Sequence, residues 1–190
     1  MHAGEVVNVA GIEPAPGLEL VAALTEAVPG VTFAIECRDG IRRDTAYSDA
    51  HRVPEGSPCG ALEDIWDVPA LKLLVRHSEM DPVEFRDRAI AAVGDRATPT
   101  WSIAGLVEIS ASGVTKASAL ITMCERLGVL PQDVVAFGDM PNDIAMLRWA
   151  GTAYAMEGAH QSVRAVADHM APRCEDDGVA RVLEQLLRGR

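Results

Sequence analysis

The chain has 190 residues, 48% of them hydrophobic, a formal net charge of -11 and an isoelectric point near 4.8. Its length and composition are enough to bury a core in one or two small domains. Its acidity, with no basic stripe to offset it, excludes nucleic-acid backbones and anionic membrane surfaces as partners.

Early in the chain, Val6 to Val9 is a short β-branched run, Gly17 to Val28 has helical periodicity behind Pro16, and residues 31–37 (VTFAIEC) read as a strand. A second strand is expected from Arg43 to Tyr47. Residues 48–67 contain Pro54, Gly56, Pro58 and Gly60, which predicts a long surface connection. Residues 70–77 form the next strand candidate, followed by a helix opened by Asp81 and Pro82 and closed near Gly94. Residues 97–103 and 106–110 read as a hairpin pair. Residues 1 to 112 therefore make an α+β unit with a largely antiparallel sheet.

From 113 to 190 the pattern changes. A helix from Lys116 to Leu127 ends at Gly128, a C-cap residue. The short apolar strand VVAF at 134–137 runs into GDMPND. A helix over 143–150, a strand at 152–156, a helix over 160–167, a short strand at 168–171 and a last helix over 177–187 follow. Short apolar strands alternating with helices predict a parallel sheet.

The carboxyl ends of such strands are where open α/β sheets place ligands. Asp139 and Asp143 lie four residues apart as the chain turns from strand to helix, which suits a hard, oxygen-binding cation such as Mg²⁺. The structural alternative is that Asp139 and Asn142 only cap the following helix. Lys116 opens a helix, where its charge opposes the dipole. An anionic ligand would account for that placement, because the ammonium and the helix amides can share one phosphate.

The run GVTKASAL at 113–120, followed by LGVLPQDVVAFGDMPNDIAMLRWAG, YAM and ADHMAPRCEDDGVARVLEQLL, resembles the C-terminal part of Cof-type phosphatases of the haloacid dehalogenase (HAD) superfamily over residues 106–190. The preceding residues are similar to that family's α/β cap. The resemblance implies an α/β fold, with a partial Rossmann-like core at 113–190 and an α+β cap at 1–112. It also implies a Mg²⁺-dependent phosphatase acting on small phosphorylated metabolites, sugar phosphates among them. In that reading Lys116 binds the transferring phosphoryl group, Asp139 ligates Mg²⁺, Asn142 touches the phosphate and Asp143 supports the metal shell.

The family's nucleophile belongs to a DxDGT motif that this sequence lacks. A second departure is Gly158, where the family usually has Asn. The resemblance therefore leaves three expectations: an enzyme completed by an N-terminal segment, a non-catalytic phosphate- or metal-binding protein, or a homo-oligomer formed through an open apolar strand edge. Cys37, Arg38, Asp39, Gly40 and Ile41 align superficially with the missing motif, but Asp-Gly after a strand also signals a hairpin turn. Cys37, Cys59, Cys124 and Cys174 show no zinc-ligand spacing. With no apolar run of spanning length and no leader pattern at the N-terminus, they predict free thiols in a cytoplasmic protein.

Overall fold

A proline at the start of a helix sacrifices no hydrogen bond, because the first amides of a helix have no intrahelical acceptor. Pro14 uses this to open α1 (Pro14–Ala27). The computed structural model describes residues 10–48 and 53–188, so the strand expected at Val6 to Val9 lies outside the described residues. Two compact units divide the chain, Met1–Val114 and Thr115–Arg190.

In the first unit, β1 (Thr32–Cys37) and β2 (Gly40–Arg43) are joined by Arg38 and Asp39 alone, with Cys37 facing Gly40 across the hairpin. The second strand therefore begins at Gly40, earlier than the 43–47 expected. A two-residue turn uses up little chain, and residues 44–47 are bent by Asp44, whose carboxylate accepts from the amides of Phe33 (2.5 Å), Ala46 (2.8 Å) and Tyr47 (2.7 Å). The hairpin also settles the Cys37 question, since that residue ends a strand at a tight turn. Burial pushes its thiol above the usual range, against a smaller opposing pull from Arg42. Iodoacetamide at pH 8 should modify the exposed Cys59 and Cys174 and spare Cys37 in the native chain; peptide mass mapping reads this directly, and rapid Cys37 labelling would contradict it.

The connection after β2 is more than a surface loop. Leu62 and Trp66 are spaced as one face of a helix. They anchor α2 (Leu62–Ile65), and both are buried. The Arg42 guanidinium fastens this segment to the hairpin, donating to the Ile65 carbonyl at 2.6 Å, to Asp39 at 2.7 Å and to Asp67. That hydrogen bond holds the Asp67 carboxyl below its ordinary value. The stabilisation it brings is complete above the ordinary carboxylate range and is lost as pH falls through the depressed value.

β3 (Ala70–Arg76), α3 (Pro82–Val93), β4 (Ala97–Thr100) and β5 (Leu106–Ala111) complete the unit. The sheet is antiparallel throughout, in the order β2-β1-β3-β5-β4. Leu20 and Leu24 from α1 and Phe85, Ala89 and Val93 from α3 share one core with Phe33, Ile35, Leu73, Val75, Val107 and Ile109 of the sheet. Tyr47 packs with Ala34, Leu74 and Leu106 in a separate buried cluster. Each large apolar side chain so buried contributes roughly 1.5–3 kcal/mol.

The second unit begins with α4 (Lys116–Leu127), capped by Thr115, whose hydroxyl accepts from the Ser118 amide at 3.0 Å, and ended by Gly128. Then come β6 (Val135–Gly138), a 3₁₀ turn over Pro141–Asp143, α5 (Ile144–Trp149), β7 (Thr152–Met156), α6 (Gln161–Arg164), β8 (His169–Ala171) and α7 (Gly178–Arg188). The three strands are parallel in the order β6-β7-β8, with β6 at an edge. The fold is thus α/β with a parallel sheet, plus an α+β unit. Ala136, Ala153 and Ala155 of this sheet pack with Leu147 and Val163 from α5 and α6, and Val182 of α7 packs with Met156 and Ala171. Val179, Leu183, Leu186 and Leu187 of α7 stay exposed. No helix among the described residues is long and apolar enough to cross a membrane.

Candidate active site

β6 delivers the chain to the C-terminal edge of the parallel sheet, and the 3₁₀ turn Pro141–Asp143 folds it back before α5 begins. The turn swings the Asp143 side chain under the strand end, where it is 3% exposed. One carboxylate oxygen accepts from Lys116 Nζ at 2.5 Å; the other accepts from the amides of Asp139 at 3.0 Å and Met140 at 3.1 Å. A buried carboxylate needs this many donors to offset its lost hydration. Here they come from the strand-end loop and from the first residue of α4, so Asp143 gathers both signals read from the sequence into one place. Asp143 also supplies the negative charge that offsets Lys116 at its helix start.

This packing depends on Gly138. A Cβ placed there would lie 2.6 Å from the Asp143 Cβ and 3.0 Å from its Cγ, so any side chain at 138 must push the carboxylate off its donors.

Asp139 is held by its backbone. Its amide meets Asp143 and its carbonyl accepts from the His160 amide at 2.9 Å, while the residue is exposed at the loop tip. Asn142, in the turn between Asp139 and Asp143, has a buried side-chain oxygen with no donor. Such an atom is destabilising unless a ligand or water meets it. Gly138 and His160 are positions that composition and spacing alone do not single out. The only signal for Gly138 was the small residue directly before Asp139.

The described residues hold no group of three or more His, Cys, Asp or Glu side chains able to cage a metal. Mg²⁺ binds through one or two carboxylates and keeps waters or substrate oxygens for the rest. Asp139, with an exposed carboxylate at a strand end, fits that role. Asp143 already accepts from Lys116 and from the 139 and 140 amides, which leaves one free lone-pair site, on the oxygen facing Lys116, for direct ligation.

Against known proteins, the profile of haloacid dehalogenase-like hydrolases matches residues 53–183. The chain is 30% identical over 156 residues to the 5-amino-6-(5-phospho-D-ribitylamino)uracil phosphatase YbjI of Escherichia coli, covering 82% of this chain and 56% of that one. With YcsE of Bacillus subtilis, a phosphatase of the same name, it shares 40% identity over 77 residues, 40% of this chain and 31% of that one. The chain thus spans between somewhat under a third and somewhat over half of the length of these relatives. Among solved structures, a sugar phosphatase of HAD subclass IIB superposes with a TM-score of 0.78 at 20% identity, over 96% of this chain and 70% of that one. A Streptococcus mutans protein gives 0.81 at 21% identity, over 94% of this chain and 69% of that one. At such identities the structural likeness establishes fold. The profile match covers more than half of the chain, and this chain therefore belongs to the haloacid dehalogenase-like hydrolase family.

Proposed function

We propose that this chain supplies the cation- and phosphate-gripping part of a Mg²⁺-dependent phosphomonoester hydrolase for small phosphorylated metabolites. The observation that carries the reading is the Asp143 carboxylate, which holds Lys116 and the Asp139 loop within one cluster. The Lys116 side chain is half exposed while its ammonium pairs with Asp143, and the ammonium has further N–H groups to give a phosphoryl oxygen. Asn142 sits in the same turn with an unfilled bonding position, and a half-turn of its amide offers Nδ2 to another oxygen. Asp139 holds the cation and Asp143 supports the metal shell through the loop. A Mg²⁺ bound there would neutralise charge on the transferring group and act as a Lewis acid. Relatives named for a phosphorylated ribitylamino compound, with a sugar phosphatase among the structural neighbours, favour a sugar-phosphate-like substrate, while one named for phosphoglycolate favours small phosphorylated metabolites more broadly. Four free thiols suit the reducing cytoplasm.

Phosphoryl transfer also needs an in-line nucleophile. The sequence has no DxDGT run, and Cys37, a buried thiol with raised pKa, is a poor substitute. Supply of the nucleophile then falls to a complementing N-terminal segment, because a second copy of this chain lacks the run as well; self-association would cover only the open strand edge. The free edge of β6, beside the Asp139 loop, is where a further parallel strand would add. The absent run equally favours a second reading, a non-catalytic phosphate- or metal-binding protein.

One assay separates them. Hydrolysis of p-nitrophenyl phosphate with Mg²⁺ that disappears in Asp139→Ala supports the enzyme. Inorganic phosphate binding without turnover supports the binding protein. Turnover that survives Asp139→Ala would overturn the site assignment.

A further inference from the structure

Asp139 decides the cation reading, yet no described residue engages its side chain; its main chain fixes it. One tie is its amide to Asp143. The other is its carbonyl, which accepts from the His160 amide at 2.9 Å. That second tie comes from the turn between β7 and α6. Gly158 has φ of +91° there, a conformation open to glycine and strained for other residues. The chain reverses so that the Ala159 amide returns to the Met156 carbonyl at 2.9 Å, and Ala159 is buried. His160 comes next and caps α6: its Nδ1 accepts from the Ser162 amide at 3.2 Å and lies 2.8 Å from Ser162 Oγ.

We propose that His160 is a positioning residue for Asp139. By capping α6 with its imidazole, it keeps its own amide against the Asp139 carbonyl and so aims the Asp139 carboxylate. The functional half of this inference rests on the proposed cation role of Asp139; the structural half stands on the hydrogen bonds alone. α6 spans only Gln161–Arg164, too short to hold its first turn by helical cooperativity. Buried Val163 anchors the far side of that turn, which leaves the His160 end dependent on its cap. An ordinary surface histidine would be replaceable by alanine, whereas a capping one is replaceable by asparagine, a strong N-cap.

The test compares His160→Ala and His160→Asn in the full chain. In the metal-free protein, ¹⁵N-detected amide exchange is read at His160, Asp139 and Met140. Exchange at His160 is expected to quicken about fivefold in His160→Ala, the factor set by one lost cap, and to return to the wild-type rate in His160→Asn. In parallel, Mn²⁺ affinity is read by electron paramagnetic resonance, with Asp139→Asn as the control that abolishes binding. Binding should weaken by a similar factor of about five in His160→Ala and recover in His160→Asn. Unchanged exchange in His160→Ala would overturn the inference. So would unchanged Mn²⁺ affinity in that variant while Asp139→Asn no longer binds. A wild-type chain that binds no Mn²⁺ would instead sink the Asp139 cation reading, and the exchange rates alone would then decide whether His160 holds the loop.

Discussion

Replacing Asp143 by alanine should dismantle the site and destabilise the second unit together. The substitution leaves the Asp139 and Met140 amides without their shared acceptor and removes the ionic partner of Lys116. Lys116 is 52% exposed and rehydrates readily. The loss therefore comes mainly from the two amides, about 2–3 kcal/mol by urea denaturation followed by circular dichroism. Asp143→Asn separates the two effects. Its amide oxygen can still accept from the loop, while its NH₂ group opposes the Lys116 ammonium. Stability should nearly recover, but inorganic phosphate binding should stay lost. Gly138→Ala should resemble the alanine variant, because its Cβ occupies the space of the Asp143 side chain. Phosphate binding at wild-type strength in Asp143→Ala would contradict this account of the site.

The second large effect is expected at Trp66, far from any catalytic role. The residue is 3% exposed, and its ring lies so close to α1 that a Cβ on Gly17 would come within 2.1 Å of it. Together with Leu62, it fastens the irregular segment after β2 to the main core of the first unit. Trp66→Ala should lower the stability of that unit by about 3–5 kcal/mol, the range for a large aromatic removed from a well-packed interior. Trp101 and Trp149 remain as fluorescent reporters in the variant. A loss below about 1 kcal/mol would place Trp66 with ordinary surface substitutions and would contradict the anchoring role.

Much of the fold could be read from local chemistry. Lys116–Leu127 emerged with the boundaries expected, its end marked by Gly128. Asp81 and Pro82 marked the start of α3 in the same way. The misplaced second strand shows the limit of such cues. Residues 43–47 have a strand-like composition, but Asp44 gathers three amides and bends them into a turn. The segment 48–67 looked like a plain loop because its prolines and glycines are conspicuous, whereas the Leu62 and Trp66 spacing is quiet.

At the site, the residue types were legible and their wiring was not. Lys116 and Asp143 are 27 positions apart, and no periodicity predicts that they meet. The fold brings them together, because α4 and the turn after β6 converge at the C-terminal end of the parallel sheet. His160 was harder still, since its contribution runs through a backbone amide that every residue type but proline possesses.

The most direct test of the central claim is paramagnetic broadening by Mn²⁺ in the ¹⁵N-labelled chain with inorganic phosphate present. The account predicts that the amides of Lys116, Asp139 and Asn142 broaden together at the lowest Mn²⁺ concentration, and that Asp139→Ala removes the effect from all three. Broadening centred instead on the carboxylates of Asp39, Asp44 or Asp67, with Lys116 and Asn142 untouched, would contradict it.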